Sequence, residues 1–162
     1  MIRTISINEP TVWDEIVRSF PDYDVYYLSG YVKGFFIHGD GEPQLLYYTS
    51  SVLKAIYVYM KRRINNVFYD IMTPYGYGGV LFDGDISFDN LKSFDEDFYY
   101  YMVENNIVDN FVRYHPILRN AEYMRKVSEV IDLGKTIALD LTSEDVIWQN
   151  ITSKNRNMIR KS

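Results

Sequence analysis

Alternation between two kinds of side chain within the strand-like run of residues 52–62 constrains the fold of this chain more than any other feature. Across residues 56–61, an aliphatic or methionine side chain alternates with a tyrosine or a lysine. Successive residues of a β-strand project from opposite faces of the sheet, so this strand has two different faces. A second strand-like run, residues 44–49, ends two serines before it. The pattern predicts an antiparallel hairpin.

Three segments have the apolar spacing of helices. The first is residues 10–20, with Asn8 as the capping side chain at its start. The second is residues 91–105, after which Asn106 can take the left-handed position that ends a helix. Thr142 is expected to cap the third, which runs towards the C-terminal residues.

The segments between these elements give weaker signals. Residues 24–36 have helical apolar spacing, but two glycines leave their conformation ambiguous. Residues 65–89, which contain four glycines and a proline, are expected to form a long ordered loop, and such loops are usually functional. Residues 111–114 predict a short strand, and residues 127–141 a second hairpin around Gly134.

Length and composition place residues 1–162 in a single domain. With the strands and helices predicted above, we expect an α/β domain of the α+β type, with a mixed, mainly antiparallel sheet flanked by helices. A formal net charge of −5 disfavours DNA and other nucleic acids, because phosphate contacts need clustered lysine and arginine. The chain has no cysteine, and its two histidines are far apart, so we expect no metal site. No apolar stretch approaches the ~20 residues of a membrane span, and the N-terminus lacks a secretory core, which favours the cytoplasm.

A glycine-rich motif, YDIMTPYGYGG, occupies residues 69–79. It resembles the signature of FemAB-like proteins, which consist of two tandem halves with the GNAT fold, although Val80 stands where many members have proline. The glycines let the backbone turn sharply and approach another surface closely. No Gly-Lys-Ser/Thr follows, so the motif is not a phosphate-binding P-loop.

Three further segments carry the same resemblance in the same order. They are FVRYHP at residues 111–116, GKTIALDL at residues 134–141, and IW followed by SKNRNMIRK within residues 147–161. Together the four motifs cover roughly residues 23–162. The chain therefore resembles the N-terminal half of a FemAB-like acyltransferase of the GNAT superfamily, whose relatives include the peptidoglycan-bridge aminoacyltransferases.

The resemblance implies a role in N-acyl or aminoacyl transfer to an amine of a cell-wall or surface-polysaccharide precursor. The donor, acyl-coenzyme A or aminoacyl-tRNA, would be bound by a C-terminal half, since this chain has no Gln/Arg-x-x-Gly-x-Gly/Ala turn for a pyrophosphate. We expect no cofactor on this chain, a partner that is the missing half or a second copy, and no independent catalysis. The resemblance identifies no catalytic residue.

An anionic, sugar-containing acceptor would contact this half through residues of the motifs. The candidate contacts are Tyr75, Gly76, Tyr77, Gly78, Gly79, Arg113, His115, Lys154 and Arg156. An alternative for the glycine-rich loop is a purely structural turn that Tyr75 and Tyr77 pin against the sheet.

Arg113 and His115 alternate with Val112 and Tyr114, which predicts that both project from one face of a strand. An arginine on a buried strand needs an anion, either a carboxylate of the chain or a substrate carboxylate or phosphate. His115 titrates in the range of a general base, but before a proline at a strand end it is more often structural.

The C-terminal helix is expected to carry acids in its first turn and four cations near its end, including Lys154 and Arg156. Ile147, Ile151 and Met158 would form one apolar stripe along it. Two explanations of this pattern stay open. The charges either cap and solvate the helix, or they form an anion-facing surface where the helix would meet a second half.

Two other functions fit the same residues. The chain contains sixteen tyrosines, which suit half-buried sheet surfaces and also suit stacking on sugars or bases. A non-catalytic binding module for an anionic glycan or nucleotide-sugar is therefore an alternative, and a purely structural half-domain is another.

Overall fold

The computed structural model describes residues 1–161 and divides them into two compact units. The first unit is Met1–Ile131, and the second begins at Asp132. None of the helices in residues 1–161 has the length and apolar character that a membrane crossing needs.

The first unit contains four α-helices and every strand found in residues 1–161. In chain order these are β1 (Ile2–Ser6), α1 (Pro10–Arg18), α2 (Ser29–His38), β2 (Glu42–Thr49), β3 (Leu53–Arg63), β4 (Tyr69–Met72), β5 (Leu81–Gly84), α3 (Phe88–Glu104), β6 (Ile107–Phe111) and α4 (Ala121–Met124). A short 3₁₀ turn, Val25–Tyr27, precedes α2. The second unit contains α5 (Glu144–Asn150) and α6 (Ser153–Ile159).

The six strands form one sheet in the order β1-β2-β3-β4-β6, with β5 also paired to β3. The long strand β3 has two partners on one side, because β5 pairs with its first residues and β4 with its last. Only the β4–β6 pair is parallel. The predicted α+β class with a mixed, mainly antiparallel sheet and the hairpin of β2 and β3 are both confirmed.

The alternation in β3 separates two apolar clusters on the two faces of the sheet. Tyr57 and Tyr59 pack with the buried face of α3, including Phe94. Ile56 and Val58 pack with the buried residues of α1 and α2. The two tyrosine hydroxyls bond to side-chain amide oxygens of Asn110 and Gln44, each at 2.7 Å, which satisfies them at the edge of the core.

Residues 65–89 are not the predicted loop, since they contain β4 and β5. Each is four residues long, too short for a periodicity to appear in the sequence. Pairing with β3, which lies earlier in the chain, decides their conformation instead. Residues 24–36, ambiguous in sequence, form the 3₁₀ turn and most of α2.

Helix ends follow the sequence in part. As predicted, α3 ends at Glu104, and Asn106 has a left-handed backbone with φ of 55°. The helix α1 begins at Pro10 as expected, but Asn8 does not cap it, because Glu9 occupies the cap position without a side-chain bond.

The second unit departs from the predictions at three points. The expected hairpin is absent, since residues 129–141 have no regular secondary structure. Ser143, not Thr142, caps α5, because the Thr142 hydroxyl and N–H are both bonded to the Asp140 carboxylate. A single C-terminal helix is also absent. Thr152 caps α6 with its side-chain oxygen, and Ile151 before it is extended, which breaks the expected apolar stripe.

Candidate functional site

A groove of about 440 Å³ opens in the first unit beside the glycine-rich segment. It is lined by residues at the end of α2, by residues near the ends of β3 and β4, and by the segments that follow β4 and β6. Its lining residues are Phe35, Gly39, Asp40, Met60, Arg62, Met72, Thr73, Pro74, Tyr75 and Arg113. Five of these ten residues are apolar or aromatic and three are charged, so the groove suits a small molecule with both an apolar and a charged part.

Tyr75 and Arg113, two of the predicted contacts, meet in this groove. The Tyr75 side chain is 74% exposed, and the Arg113 guanidinium lies 5.9 Å from the centre of its ring. Within Met1–Ile131 no carboxylate forms an ion pair with Arg113. The cation therefore lies beside an exposed aromatic ring, ready to bind an anion from solution.

Hydrogen bonds to the backbone hold Tyr75 and Arg113 in place. The Tyr31 hydroxyl donates to the Tyr75 carbonyl at 2.7 Å, and burial raises the pKa of Tyr31, which keeps its proton available. The Arg113 N–H donates to the Thr73 hydroxyl at 3.1 Å. The Arg113 guanidinium also donates to the Gly76 carbonyl at 3.4 Å. These bonds fix the backbone at Tyr75 and join Arg113 to the segment that contains Thr73 and Gly76.

The glycines of the motif are used for close backbone approach, as the sequence predicts. Gly76 has φ of 105° and Gly79 has φ of 95°, a region that favours glycine. A Cβ at Gly79 would lie 2.6 Å from the Tyr114 ring. Gly78 donates to the Arg113 carbonyl at 2.8 Å and accepts from the His115 N–H at 3.1 Å, so the loop is tied to the segment after β6.

Asn120 is the centre of this attachment and was not predicted from sequence. Its side chain is buried, and its Nδ2 donates to the carbonyls of Gly78 and Val80 at 2.8 and 3.2 Å. The same amide lies 3.2 Å from the Tyr27 hydroxyl, and its Oδ1 accepts from the His115 N–H at 3.0 Å. One side chain thereby joins three separated segments.

His115 is part of the scaffold and does not line the groove. Its Nδ1 accepts from the backbone N–H groups of Ile117 and Leu118, both at 3.2 Å, which requires that this nitrogen carry no proton. The proton is therefore on Nε2, which donates to Asp24 Oδ2 at 3.2 Å. Both ring nitrogens are engaged in a side chain only 3% exposed, so the geometry fits the structural alternative and not a general base.

The prediction that Arg113 and His115 share one face of a strand is wrong. β6 ends at Phe111, and beyond it only Tyr114 forms an isolated bridge, with Gly78. Arg113 is exposed whereas His115 is buried. Arg113 and His115 instead lie in a segment that crosses the glycine-rich loop. The Arg113 carbonyl and the His115 N–H are both bonded to Gly78.

Tyr77 also lies away from the groove lining. Its ring centre is 6.0 Å from that of Tyr26 and 5.7 Å from that of His115, and its side chain is half-buried. This contact fits the pinned-turn alternative for Tyr77, while the exposed Tyr75 fits the binding role. Tyr75 and Tyr77 thus have different surroundings.

Two further charged residues of the groove were not singled out in the sequence. Arg62 forms a bidentate pair with Asp70, from Nε to Oδ1 at 3.0 Å and from Nη2 to Oδ2 at 2.5 Å. Asp40 follows Gly39, whose left-handed backbone ends α2, and it binds His38 Nδ1 at 2.9 Å. No sequence motif marks either residue, because their juxtaposition depends on strand register and on the turn after α2.

Lys154 and Arg156 lie in the second unit. Lys154 is exposed on α6. Arg156 donates through Nη1 to the carbonyls of Trp148, Gln149 and Ile151, at 3.0, 3.3 and 2.8 Å. These bonds satisfy the last carbonyls of α5, which gives Arg156 a capping role within its own unit.

The chemistry available at the groove comes from these side chains. Residues 1–161 contain no group of three or more histidine, aspartate or glutamate residues arranged to hold a metal ion. Comparisons of the chain with protein-family models, with curated proteins and with solved structures found no match.

Proposed function

We propose that the groove binds an anionic, ring-containing small molecule through Arg113 and Tyr75. The single observation that carries this proposal is the exposed Arg113 guanidinium beside the exposed Tyr75 ring in a cavity of about 440 Å³. The cation supplies charge-assisted hydrogen bonds to a carboxylate, and the ring supplies a stacking face for a sugar. Phe35, Met60 and Met72 supply apolar wall for the rest of the ligand.

On the sequence resemblance, this ligand is the acceptor of an N-acyltransferase or aminoacyltransferase that acts on a cell-wall or surface-polysaccharide precursor. Bound at Arg113, the acceptor would be oriented for attack by its amine on the donor carbonyl, and orientation is a large part of such catalysis. The donor, acyl-coenzyme A or aminoacyl-tRNA, would be held by another chain or another half. The same groove would serve a non-catalytic module for an anionic glycan equally well.

Titration calorimetry with N-acetylmuramate, a sugar with one carboxylate, tests the binding proposal. We expect Arg113→Gln to weaken binding by about tenfold or more, since a hydrogen-bonded charge pair is lost. Arg3→Gln is the matched control, because Arg3 also lies over a tyrosine ring, 5.1 Å from Tyr47, and is not part of the groove lining. Equal losses in both variants, or no binding by the unaltered chain at millimolar sugar, would contradict the proposal.

Acetyl-coenzyme A separates the acceptor role from a complete enzyme. Because the sequence has no pyrophosphate-binding turn, we expect no measurable heat on titration with acetyl-coenzyme A. A one-to-one complex at micromolar concentration would overturn the assignment of this chain to the acceptor side. It would leave the groove proposal to be judged by the Arg113 variant.

A further inference from the structure

The two arginines of the groove differ in the compensation of their charge. Arg62 is bound by both oxygens of the Asp70 carboxylate, which offsets its charge locally. The Arg113 guanidinium contacts the Gly76 carbonyl and the Tyr75 ring, and no carboxylate of Met1–Ile131 pairs with it. The groove therefore offers two guanidinium groups but only one uncompensated positive charge.

The sheet itself holds the Arg62–Asp70 pair together. The two residues are directly opposite in the antiparallel register of β3 and β4, and the Asp70 side chain is only 17% exposed. The hydrogen bond with Asp70, followed by the charges of Asp70 and Asp109, raises the pKa of Arg62. Asp109 is opposite Asp70 in the β4–β6 register, so two carboxylates lie behind this one arginine.

Asp40 adds a negative charge to the groove lining. Its carboxylate binds His38 Nδ1 at 2.9 Å. Each of these carboxylates has a partner of its own, His38 for Asp40 and Arg62 for Asp70, and neither forms an ion pair with Arg113. A ligand with one negative charge can bind at Arg113, whereas a second negative charge meets only compensated or repelling groups.

We infer that Asp70 is a specificity-determining residue that, by neutralising Arg62, restricts the groove to carboxylate monoanions and disfavours phosphate dianions. This inference rests on the proposed function, because it presumes anion binding at Arg113. It names the acceptor's chemical class: a ring-containing ligand with one carboxylate, and no terminal phosphate in the groove.

Three sugars that differ in charge test the inference by calorimetry with the full chain. At pH 8, N-acetylglucosamine is neutral, N-acetylmuramate carries one charge, and N-acetylglucosamine 6-phosphate carries about two. We expect the unaltered chain to bind N-acetylmuramate about tenfold more tightly than the phosphate sugar. Asp70→Asn should strengthen binding of the phosphate sugar by about tenfold, because Arg62 then presents its charge to the groove.

Asp83→Asn is the matched control for this change. Asp83 also pairs with a cation across neighbouring strands, with Lys54 Nζ at 3.7 Å, but neither residue lines the groove. We expect Asp83→Asn to leave the binding of all three sugars unchanged. An equal gain in phosphate binding there would show an effect of net charge on the whole protein and overturn the role of Asp70.

Arg62→Gln removes the other member of the pair and should act in the opposite direction. It leaves Asp70 uncompensated beside the groove, so both anionic sugars should bind more weakly. A purely structural ion pair predicts instead that Asp70→Asn and Arg62→Gln change binding in the same direction. Circular dichroism and thermal unfolding establish that each variant is folded. If Asp70→Asn does not fold, the selectivity of the unaltered chain and the Arg62→Gln result decide.

Two outcomes separate the inference from the proposed function. Binding of the phosphate sugar as tightly as N-acetylmuramate, with both abolished by Arg113→Gln, would overturn the role of Asp70 and leave the groove proposal standing. No response of the unaltered chain to either anionic sugar would overturn the proposed function and the inference with it.

Discussion

Asn120 shows how one buried amide can position a site that it does not touch. It joins the carbonyls of Gly78 and Val80 to the N–H of His115. Gly78 is in turn bonded to the Arg113 carbonyl, and Arg113 lines the groove. The arrangement of the groove residues therefore depends on a side chain in the interior.

Replacement of Asn120 by alanine should lower the free energy of unfolding by about 3 kcal/mol, because buried carbonyl and N–H groups lose their partner. Urea unfolding followed by circular dichroism measures this. Asn90→Ala is the control, since the Asn90 side chain makes one bond, to the Asp85 carbonyl at an exposed position. We expect its effect to stay below about 1 kcal/mol. Similar losses in both variants would contradict the central role of Asn120.

Asp95 gives a prediction about pH. Burial raises the pKa of Asp95, only partly offset by the hydrogen bond from the Ser128 hydroxyl. The folded state then binds the proton more readily than the unfolded state. The ionised carboxylate therefore lowers stability at neutral pH, and the penalty disappears as pH falls below ~4, where the group is protonated in both states.

Asp95→Asn should accordingly raise the thermal midpoint at pH 7, and its advantage should shrink as the pH is lowered towards 3. Thermal unfolding across that pH range is the measurement. Asp22→Asn removes the same charge from an exposed position and serves as the control. An Asp95→Asn advantage that grows in acid would have the wrong sign for a buried carboxyl.

At the level of residues, the sequence predicts those site residues that lie within one short motif. The motif placed Tyr75 and three glycines in one segment, and Arg113 came from a second motif. Arg62, Asp70, Asp40 and Asn120 were missed because their roles depend on partners in other segments. The spacing of those residues in the sequence does not reveal the strand register or the turn after a helix that brings them together.

At the level of elements, the glycines of this chain fall into two groups. Gly34 lies within α2, and a Cβ there would meet nothing within 4 Å. Gly79 has φ of 95°, and a Cβ there would lie 2.6 Å from the Tyr114 ring and 2.9 Å from the Asn120 amide. The first glycine only weakens a helix, whereas the second is required by its backbone and its neighbours.

Gly34→Ala should raise the free energy of unfolding by about 0.5–1 kcal/mol, through helix propensity and reduced entropy of the unfolded chain. Gly79→Ala should lower it by at least 1 kcal/mol, since both strain and overlap oppose it. Chemical denaturation of the two variants side by side compares the same substitution in two surroundings. A loss of stability in Gly34→Ala would reveal a contact or a need for glycine that the helix does not show.

Elements with strong periodicity were predicted well, and those that depend on distant pairing were not. β3, α1 and α3 follow from apolar spacing over nine residues or more. β4 and β5 are short and exist because β3 pairs with both. The side chains of residues 136–141 alternate as they do in a strand, but these residues form no hairpin. Periodicity favours a strand only if a sheet edge is present to pair with it.

At the level of the whole molecule, the two units differ in what stabilises them. All six strands and both apolar clusters lie within Met1–Ile131. In residues 132–161 no side chain is buried, and the α5–α6 junction is held by caps and by Arg156. The first unit thus contains the apolar interior that a domain needs, and the groove with it.

A chain that ends at residue 131 should therefore fold on its own and keep the groove. Its one remaining tryptophan is Trp13, fully buried, so its fluorescence reports whether the interior is intact. We expect a cooperative thermal transition within a few degrees of that of the full chain, and unchanged affinity for N-acetylmuramate.

A chain cut at residue 120 is the control. It lacks Met124, Val127 and Val130, which pack in the apolar cluster between the sheet and α3, and should be several kcal/mol less stable. If the 131-residue chain instead exposes Trp13 to solvent and unfolds without cooperativity, the first unit is not an independent folding unit.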